Sequence, residues 1–345
     1  MKPTDHTTER IFLLDPYGKP LSLTALDSPP LEPGTGPFAE RTLVRRTTGE
    51  RFTMRYVPRA AGASDPGLYA LLENEIRIGV RLTRRLGAQT YPDELARLVA
   101  YDADGEEPCV VFPAYSDEPA AAFAGQLLLD QQRAFQVSLF RGLDALHRAG
   151  VVHGGIGGIG GLDGHADGAA VTWDGDRVRM GGFGRATLRG EAAPPLPAPW
   201  GAPERRGSGH PAHPGSDIWS AALLVFMIAT GKRVEAMDHG PDLDVGGPAL
   251  RNLLQQAFDP EERSRPTAAA MLARLRAEPL VLAAQDGTDQ RFAEGLRRYD
   301  AEVARRTGPP QPPPPPARRF PLRWALIGLV LVIGGLVAAG LIAEL

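Results

Sequence analysis

The sequence predicts an α+β protein with two lobes, a small β-rich lobe and a larger helical lobe, followed by a C-terminal transmembrane helix. Three observations lead to this fold class. Between residues 10 and 280, segments with alternating apolar residues come first, and segments with apolar residues at helical spacing come later. A short apolar run broken by Pro113 separates the two groups as a hinge would. Residues 324–343 are uncharged and mainly apolar, and as a helix they span about 30 Å, the thickness of a bilayer core.

The composition narrows the class of protein. Of the 345 residues, 43% are hydrophobic and 23% are charged, which is typical of a folded globular protein. The net charge of -3 gives no reason to expect nucleic acid as a partner. The single cysteine, Cys109, cannot form an internal disulfide, which indicates a reducing compartment. The excess of arginine over lysine, with abundant alanine, glycine and proline, favours a bacterial origin.

The predicted elements follow one another in the order that the two lobes require. They are a hairpin over 40–57, a helix over 67–86, a strand within 106–115, a helix over 130–150, a second hairpin over 170–183, and helices over 216–231, 248–258 and 267–277. The helix over 216–231 begins with an N-cap signal and is apolar almost all round, so we expect it in the centre of the helical lobe.

The chain divides into five predicted regions. They are an N-terminal extension over 1–30, the two-lobed domain over 31–280, an amphipathic helix over 281–307, a proline-rich basic linker over 308–323 and the transmembrane helix over 324–343. Arginines precede the last helix, and the positive-inside rule places that side in the cytosol. We therefore expect a single-pass protein of the inner membrane, anchored by its C-terminus, with its globular domain in the cytosol.

From about residue 34 to residue 276 the chain resembles the protein kinase family. The motifs that carry the resemblance occur in the family's order: "LHRAGVVH" ending at His153, "GGFGRA" over 181–186, "APE" over 202–204, "SDIWSAA" over 216–222 and "RSRPTAAAML" over 263–272. They correspond to the approach to the catalytic loop, the Asp-Phe-Gly motif, the end of the activation segment, the central helix and a late arginine. The resemblance implies a protein kinase-like fold.

Residues that the family uses to hold its shape are retained. The resemblance implies stacking of His153 on Phe183, an ion pair between Glu204 and Arg265, and anchoring of the catalytic-loop backbone by Asp217. For each of these residues, local hydrogen bonding is an equally simple role. The two interpretations lead to the same structure, because neither requires catalysis.

Residues that carry out phosphoryl transfer in the family are replaced. The family needs a lysine for the phosphates, an aspartate that accepts the hydroxyl proton, and an asparagine and a second aspartate for Mg²⁺. The corresponding positions here are Arg55, Gly155, Gly160 and Gly182. We expect none of them to be catalytic, and we expect no metal site.

The sequence leaves open whether the protein binds a nucleotide. Gly34 and Gly36 resemble half of the family's phosphate-binding loop, although a turn without ligand would look the same. If a nucleotide does bind, the resemblance implies that Arg55, Glu75, Phe112 and Tyr115 contact it as well. We expect no cofactor, with ATP, either alone or with Mg²⁺, as the alternative.

The sequence thus predicts a membrane-tethered pseudokinase that acts as a protein-binding scaffold or allosteric regulator. The alternative is an atypical, weak Ser/Thr kinase or a nucleotide-binding sensor. The expected partners are a protein, either an active kinase or a membrane-associated complex, and the lipid bilayer through the C-terminal helix. A second copy of the chain is a further candidate, because residues 289–306 place apolar residues at coiled-coil spacing.

Overall fold

In the computed structural model, six strands of the N-terminal third close into an antiparallel barrel. The structure describes residues 9–25, 38–157, 170–207, 209–233 and 239–282, together with Gly295 and Arg297. The barrel strands are β1 (Arg10–Leu14), β2 (Pro20–Ala25), β3 (Ala39–Val44), β4 (Arg51–Tyr56), β5 (Ala100–Asp102) and β6 (Cys109–Pro113). Their order around the barrel is β1-β2-β3-β4-β6-β5, and the pairing of Leu14 with Tyr101 closes it.

The barrel is closed by β1 and β2. Both strands lie within residues 1–30, which the sequence analysis predicts to be an N-terminal extension. Alternation within β1 and β2 turns Leu13 and Leu23 inward, and both are almost fully buried. They pack against Leu43, Phe52 and Val111 of the other strands. Because β1 also reaches β5, the sheet returns on itself and does not end at an open edge.

The rest of the described chain is mainly helical. The helices are α1 (Arg59–Ser64), α2 (Gly67–Leu86), α3 (Leu129–Arg148), α4 (Pro214–Thr230), α5 (Gly247–Leu254) and α6 (Ala268–Arg274). Short strands lie between them: β7 (Glu118–Pro119), β8 (Val151–Val152), β9 (Val171–Trp173), β10 (Val178–Met180) and β11 (Thr187–Leu188). Each predicted hairpin and helix between residues 40 and 277 is present, with bounds shifted by a few residues, so these local predictions are confirmed.

Helix α2 joins the barrel to the helical part. Its first half buries Leu72, which packs in the same cluster as Phe112 of β6. Its second half buries Ile78, Leu82 and Leu86 in the main core with α3 and α4. Because one helix is buried in both parts, they form a single compact unit.

The predicted fold class, a two-lobed protein kinase-like fold with a C-terminal transmembrane helix, is therefore wrong. The strand-rich part is a closed barrel, and α2 unites it with the helices in one unit in place of two lobes. Within the described ranges, no helix has both the length and the apolar character needed to cross a membrane. Residues 324–343 lie outside those ranges, and residues 289–306 are described only at Gly295 and Arg297. The membrane location and the dimer stay predictions.

Helix α4 fills the centre of the main core, as its sequence predicts. Every residue from Gly215 to Ile228 is buried. The helix begins after His213, whose side chain accepts a hydrogen bond from the Gly215 N–H, and it ends at Gly231 in the left-handed conformation. Its first turn carries Asp217 into the interior, and this residue organises the site described below.

The barrel can be tested at β2. Leu23→Ala should lower the free energy of unfolding by about 2–4 kcal/mol, because the side chain is 1% exposed and its removal leaves a cavity. Phe12→Ala, on the neighbouring strand, is the control: Phe12 is 72% exposed, and its loss should change little. Urea unfolding measures both. Equal and small effects would show that residues 10–25 are a loose extension and not part of the barrel.

Candidate functional site

Asp217 holds the loop that follows β8. Its Oδ2 accepts hydrogen bonds from the His153 N–H at 2.8 Å and from His147 Nε2 at 2.9 Å. Its Oδ1 accepts the Gly154 N–H at 2.9 Å. The carboxylate is 1% exposed, so these contacts replace water almost completely. The first turn of α4 therefore fixes the backbone at His153 and Gly154.

The contacts of Asp217 keep it ionised in spite of its burial. Burial alone would raise the pKa of this carboxyl, but the hydrogen bonds from His147 and from the Gly154 N–H hold its pKa below the ordinary value. A carboxylate with three donors is a strong and directional anchor. Its loss would leave backbone N–H groups buried without a partner.

His153 is a neutral structural residue. A carbonyl oxygen only accepts, so the contact of 3.0 Å between His153 Nε2 and Gly181 O places the proton on Nε2. Nδ1 then accepts the Gly155 N–H at 3.2 Å. Burial lowers the pKa of the ring, which is fully shielded, and the ring packs on Phe183 with centroids 5.4 Å apart. Both nitrogens are occupied, so His153 cannot take a proton from a substrate.

The loop after His153 provides no side chain for catalysis in its described part. Its residues from Gly154 to Gly157 are three glycines and one isoleucine. Gly154 has a φ of +65°, and a Cβ there would lie 3.1 Å from Arg185 O, so the backbone itself requires glycine. Gly155 has no such restriction, because a Cβ would make only ordinary contacts. Gly160 lies outside the described residues.

Gly182 has the left-handed conformation, with φ 66° and ψ 48°. It precedes a short 3₁₀ turn over Phe183–Arg185. A side chain at this position would carry backbone strain, since non-glycine residues rarely adopt such a φ. Gly155 and Gly182, two of the positions predicted to have lost a catalytic residue, thus lie next to the contacts of the His153 ring. Neither of them has a polar side chain.

The segment from Pro199 to Glu204 packs against α4 and covers the loop. A Cβ at Gly157 would overlap the indole ring of Trp200, so the ring lies directly on this backbone. The Trp219 Nε1–H donates to Pro199 O at 3.1 Å, and Ser220 Oγ donates to Trp200 O at 2.8 Å. These contacts fix the segment to the central helix.

Glu204 and Arg265 meet in a two-pronged ion pair. Arg265 Nη1 and Nη2 lie 2.6 Å and 2.8 Å from the two carboxylate oxygens of Glu204. The Arg265 side chain is completely shielded from solvent and also packs over the Trp219 ring. The pair therefore secures the end of the same segment to α4 and to the chain before α6.

A cleft of about 230 Å³ lies between the barrel and β10. It brings together four predicted nucleotide-binding residues, Arg55, Glu75, Phe112 and Tyr115, with Gly182 at its border. Gly34 and Gly36, the other two, lie outside the described residues. The volume is below the range of about 300–1,000 Å³ that is usual for small-molecule sites.

Four of the five charged side chains that line the cleft form two ion pairs. Arg55 Nη2 lies 3.1 Å from Glu40 Oε1, and Arg179 Nε lies 2.7 Å from Asp117 Oδ2. The Arg179 guanidinium also sits 3.8 Å from the centroid of the Tyr115 ring. With Glu75, three carboxylates face two guanidinium groups, so the lining carries one net negative charge. This arrangement repels a polyphosphate.

A polar network that the sequence did not reveal connects α2 to the chain after Gly182. Asn74 Nδ2 donates to Gly184 O and Ala186 O, both at 2.8 Å. Arg77 binds Asn74 Oδ1 and both carboxylate oxygens of Glu191. The only sequence signal is Asn74 itself, since asparagine is a poor residue for a helix interior unless its amide has a partner. The network holds α2 in one position beside the cleft.

Comparison with known proteins gives no family for this chain. No family model matches it, and no curated protein matches its sequence. In the described residues, no group of three side chains suited to a metal ion occurs. The kinase-like motifs therefore stay a resemblance, and the interpretation of the site depends on its own geometry.

The neutral state of His153 has a consequence for stability. Because its pKa is lower in the folded than in the unfolded chain, the unfolded chain binds more protons below a pH of about 6.5. The free energy of unfolding should therefore decrease as the pH falls from 6.5, by up to about 1.4 kcal/mol per pH unit from this residue.

Urea unfolding between pH 5 and pH 7.5 measures that contribution. His153→Gln should flatten the profile, because glutamine can accept and donate in the same place without titrating. His239→Gln is the control, since His239 is exposed. An unchanged slope in His153→Gln would show that the residue is not buried in its neutral form.

Proposed function

We propose that the protein acts by binding another protein and transfers no phosphoryl group, which is the function of a pseudokinase. One observation carries the proposal: the site is rigidly assembled, but the positions where phosphoryl transfer would need polar groups hold glycine or an arginine already bound to a carboxylate. A rigid site without these groups has a surface of fixed shape that suits binding. It lacks the groups that phosphoryl transfer needs.

The chemistry of phosphoryl transfer explains why the missing groups matter. The reaction depends on positioning the nucleotide and on neutralising its charge with cations and Mg²⁺. In the cleft, Arg55 and Arg179 are engaged by Glu40 and Asp117, so binding a triphosphate would require both ion pairs to break. The described loop after His153 has no carboxylate to accept a proton. Each deficiency alone would slow the reaction, and together they remove its main contributions.

The proline-rich segment over 192–199 is the surface that we assign to binding near this site. Its middle is fixed, because the Leu196 N–H donates to Arg205 O and Arg205 Nη2 donates to Pro194 O at 2.7 Å. Pro195, between these contacts, and Pro197, directly after them, are exposed. Proline already restricts the backbone, so binding of a partner here costs little conformational entropy.

A nucleotide-sensing function is the second candidate, and one observation favours it. Arg55, Glu75, Phe112 and Tyr115 line one cleft, where a weak ligand could lie on Phe112. The ion pairs of Arg55 and Arg179 argue against a strongly charged ligand. The two candidates differ in whether ATP stabilises the protein.

Thermal unfolding with ATP, with and without Mg²⁺, separates them. At about 1 mM nucleotide the midpoint of unfolding should rise by less than about 1 °C, and no labelled phosphate should enter the protein or a generic substrate. The variant that carries both Glu40→Gln and Asp117→Asn is the matched comparison. It releases both arginines, so ATP should stabilise it more than the parent. A shift of several degrees in the parent, or phosphate incorporation that Arg55→Ala abolishes, would contradict the proposal.

A further inference from the structure

A second and larger cavity lies away from the cleft and shares no residue with it. It is an open groove of about 910 Å³. Its walls are α3, the residues before Leu95, the turn between β9 and β10, and the chain that follows α6 as far as Leu282. Nothing in the proposed function described so far uses this groove.

One of the lining residues, Glu94, is a buried acidic residue. Glu94 is 7% exposed, and its backbone is fixed because Met180 N–H donates to Glu94 O at 2.8 Å. Its Cβ packs close to α3 at Gly142, where an added Cβ would lie 3.1 Å from the Glu94 Cβ and would collide with the Met180 side chain. Its carboxylate makes no hydrogen bond or ion pair with another residue in the part of the chain that is described. Burial raises the pKa of Glu94, with partial opposition from its own backbone N–H, Arg177 and Arg141.

The arginines around Glu94 are engaged elsewhere. Arg177 pairs with Asp93. Arg141 Nε donates to Glu278 O at 3.1 Å, and Arg133 Nη2 donates to Leu275 O at 2.9 Å. These last two contacts hold the chain after α6 along α3, so the arginines build the wall of the groove. Arg276, Asp176 and Glu278 line the groove from exposed positions, so Glu94 is the buried charged group among its described lining residues.

The chemistry of the groove selects a cationic side chain. Lysine and arginine combine an apolar stem with a charged end, which suits a buried carboxylate among lining residues that include Val137, Ala134 and Leu280. An ionised carboxylate that is buried without a partner is unfavourable, and a cation with hydrogen-bond donors relieves this. The volume is sufficient for several residues of an extended chain.

We propose that this groove binds an extended peptide segment of a partner protein and that Glu94 receives a lysine or arginine side chain from it. The inference rests on the proposed protein-binding function and names the chemistry of the partner. It also gives a role to an acidic residue that the motif resemblance did not single out. Four carboxylates and four guanidinium groups line the groove, so their formal charges balance, and the buried Glu94 carboxylate without a partner is the feature that favours a cation.

Three peptides test the proposal on the full-length protein. They are acetyl-Ala-Ala-Arg-Ala-Ala-amide, the same peptide with citrulline in place of arginine, and the same peptide with glutamate there. Titration calorimetry at pH 7 should show binding of the arginine peptide and at least tenfold weaker binding of the citrulline peptide, which keeps the shape but lacks the charge. The glutamate peptide should bind more weakly still.

Two variants locate the interaction. Glu94→Gln should reduce the affinity for the arginine peptide at least tenfold, to the level of the citrulline peptide. Asp176→Asn, at the exposed rim, should change it less than threefold. The comparison of peptides on the parent protein needs no variant, so it remains decisive if Glu94→Gln does not fold.

Several results would overturn the inference. They are equal binding of the arginine and citrulline peptides, unchanged affinity in Glu94→Gln, no binding of any peptide, and tighter binding of the glutamate peptide, which would make the arginines the recognition groups. Failure of the proposed function has a different signature. Phosphate incorporation would contradict the absence of phosphoryl transfer and leave the peptide result as it stands.

Discussion

The hydrogen bonds to Asp217 are the interaction on which the rest of the site depends. One buried carboxylate binds the His153 and Gly154 N–H groups and the His147 side chain, and so joins the central helix to the end of α3 and to the loop after β8. His153 then holds Gly181 and Phe183 through its ring. None of these contacts needs a catalytic residue. The chain can therefore replace the groups that would carry out chemistry and keep the geometry around them.

Arginine has a mainly structural use in this protein. Arg81 donates to Ala149 O and Arg84 to Pro16 O, so two arginines of α2 fix the ends of other elements. In the cleft, Arg55 also has a structural role, because it forms an ion pair with Glu40. Guanidinium groups are suited to this task because they present several donors in a fixed plane. A cation that is already satisfied within the protein contributes little to binding a phosphate.

The sequence predicts the local elements well because their signals are local. The helical periodicity of α2 and the alternation in β3 and β4 do not depend on the rest of the chain. Closure of the barrel depends on the pairing of Leu14 with Tyr101. These residues are far apart in the sequence, so the local apolar pattern does not predict that they pair. In the site, the meeting of Glu204 with Arg265 was implied by resemblance, whereas the isolation of Glu94 follows only from tertiary packing.

The hydrogen bonds to Asp217 imply that the loop at His153 is ordered without a nucleotide. Amide hydrogen exchange of His153 and Gly154 tests it most directly, since both N–H groups are buried and bound to this carboxylate. We expect slow exchange at both amides in the free protein and no change when Mg²⁺ and ATP are added. Fast exchange in the free protein that becomes slow with Mg²⁺ and ATP would contradict it, because the nucleotide would then order the site.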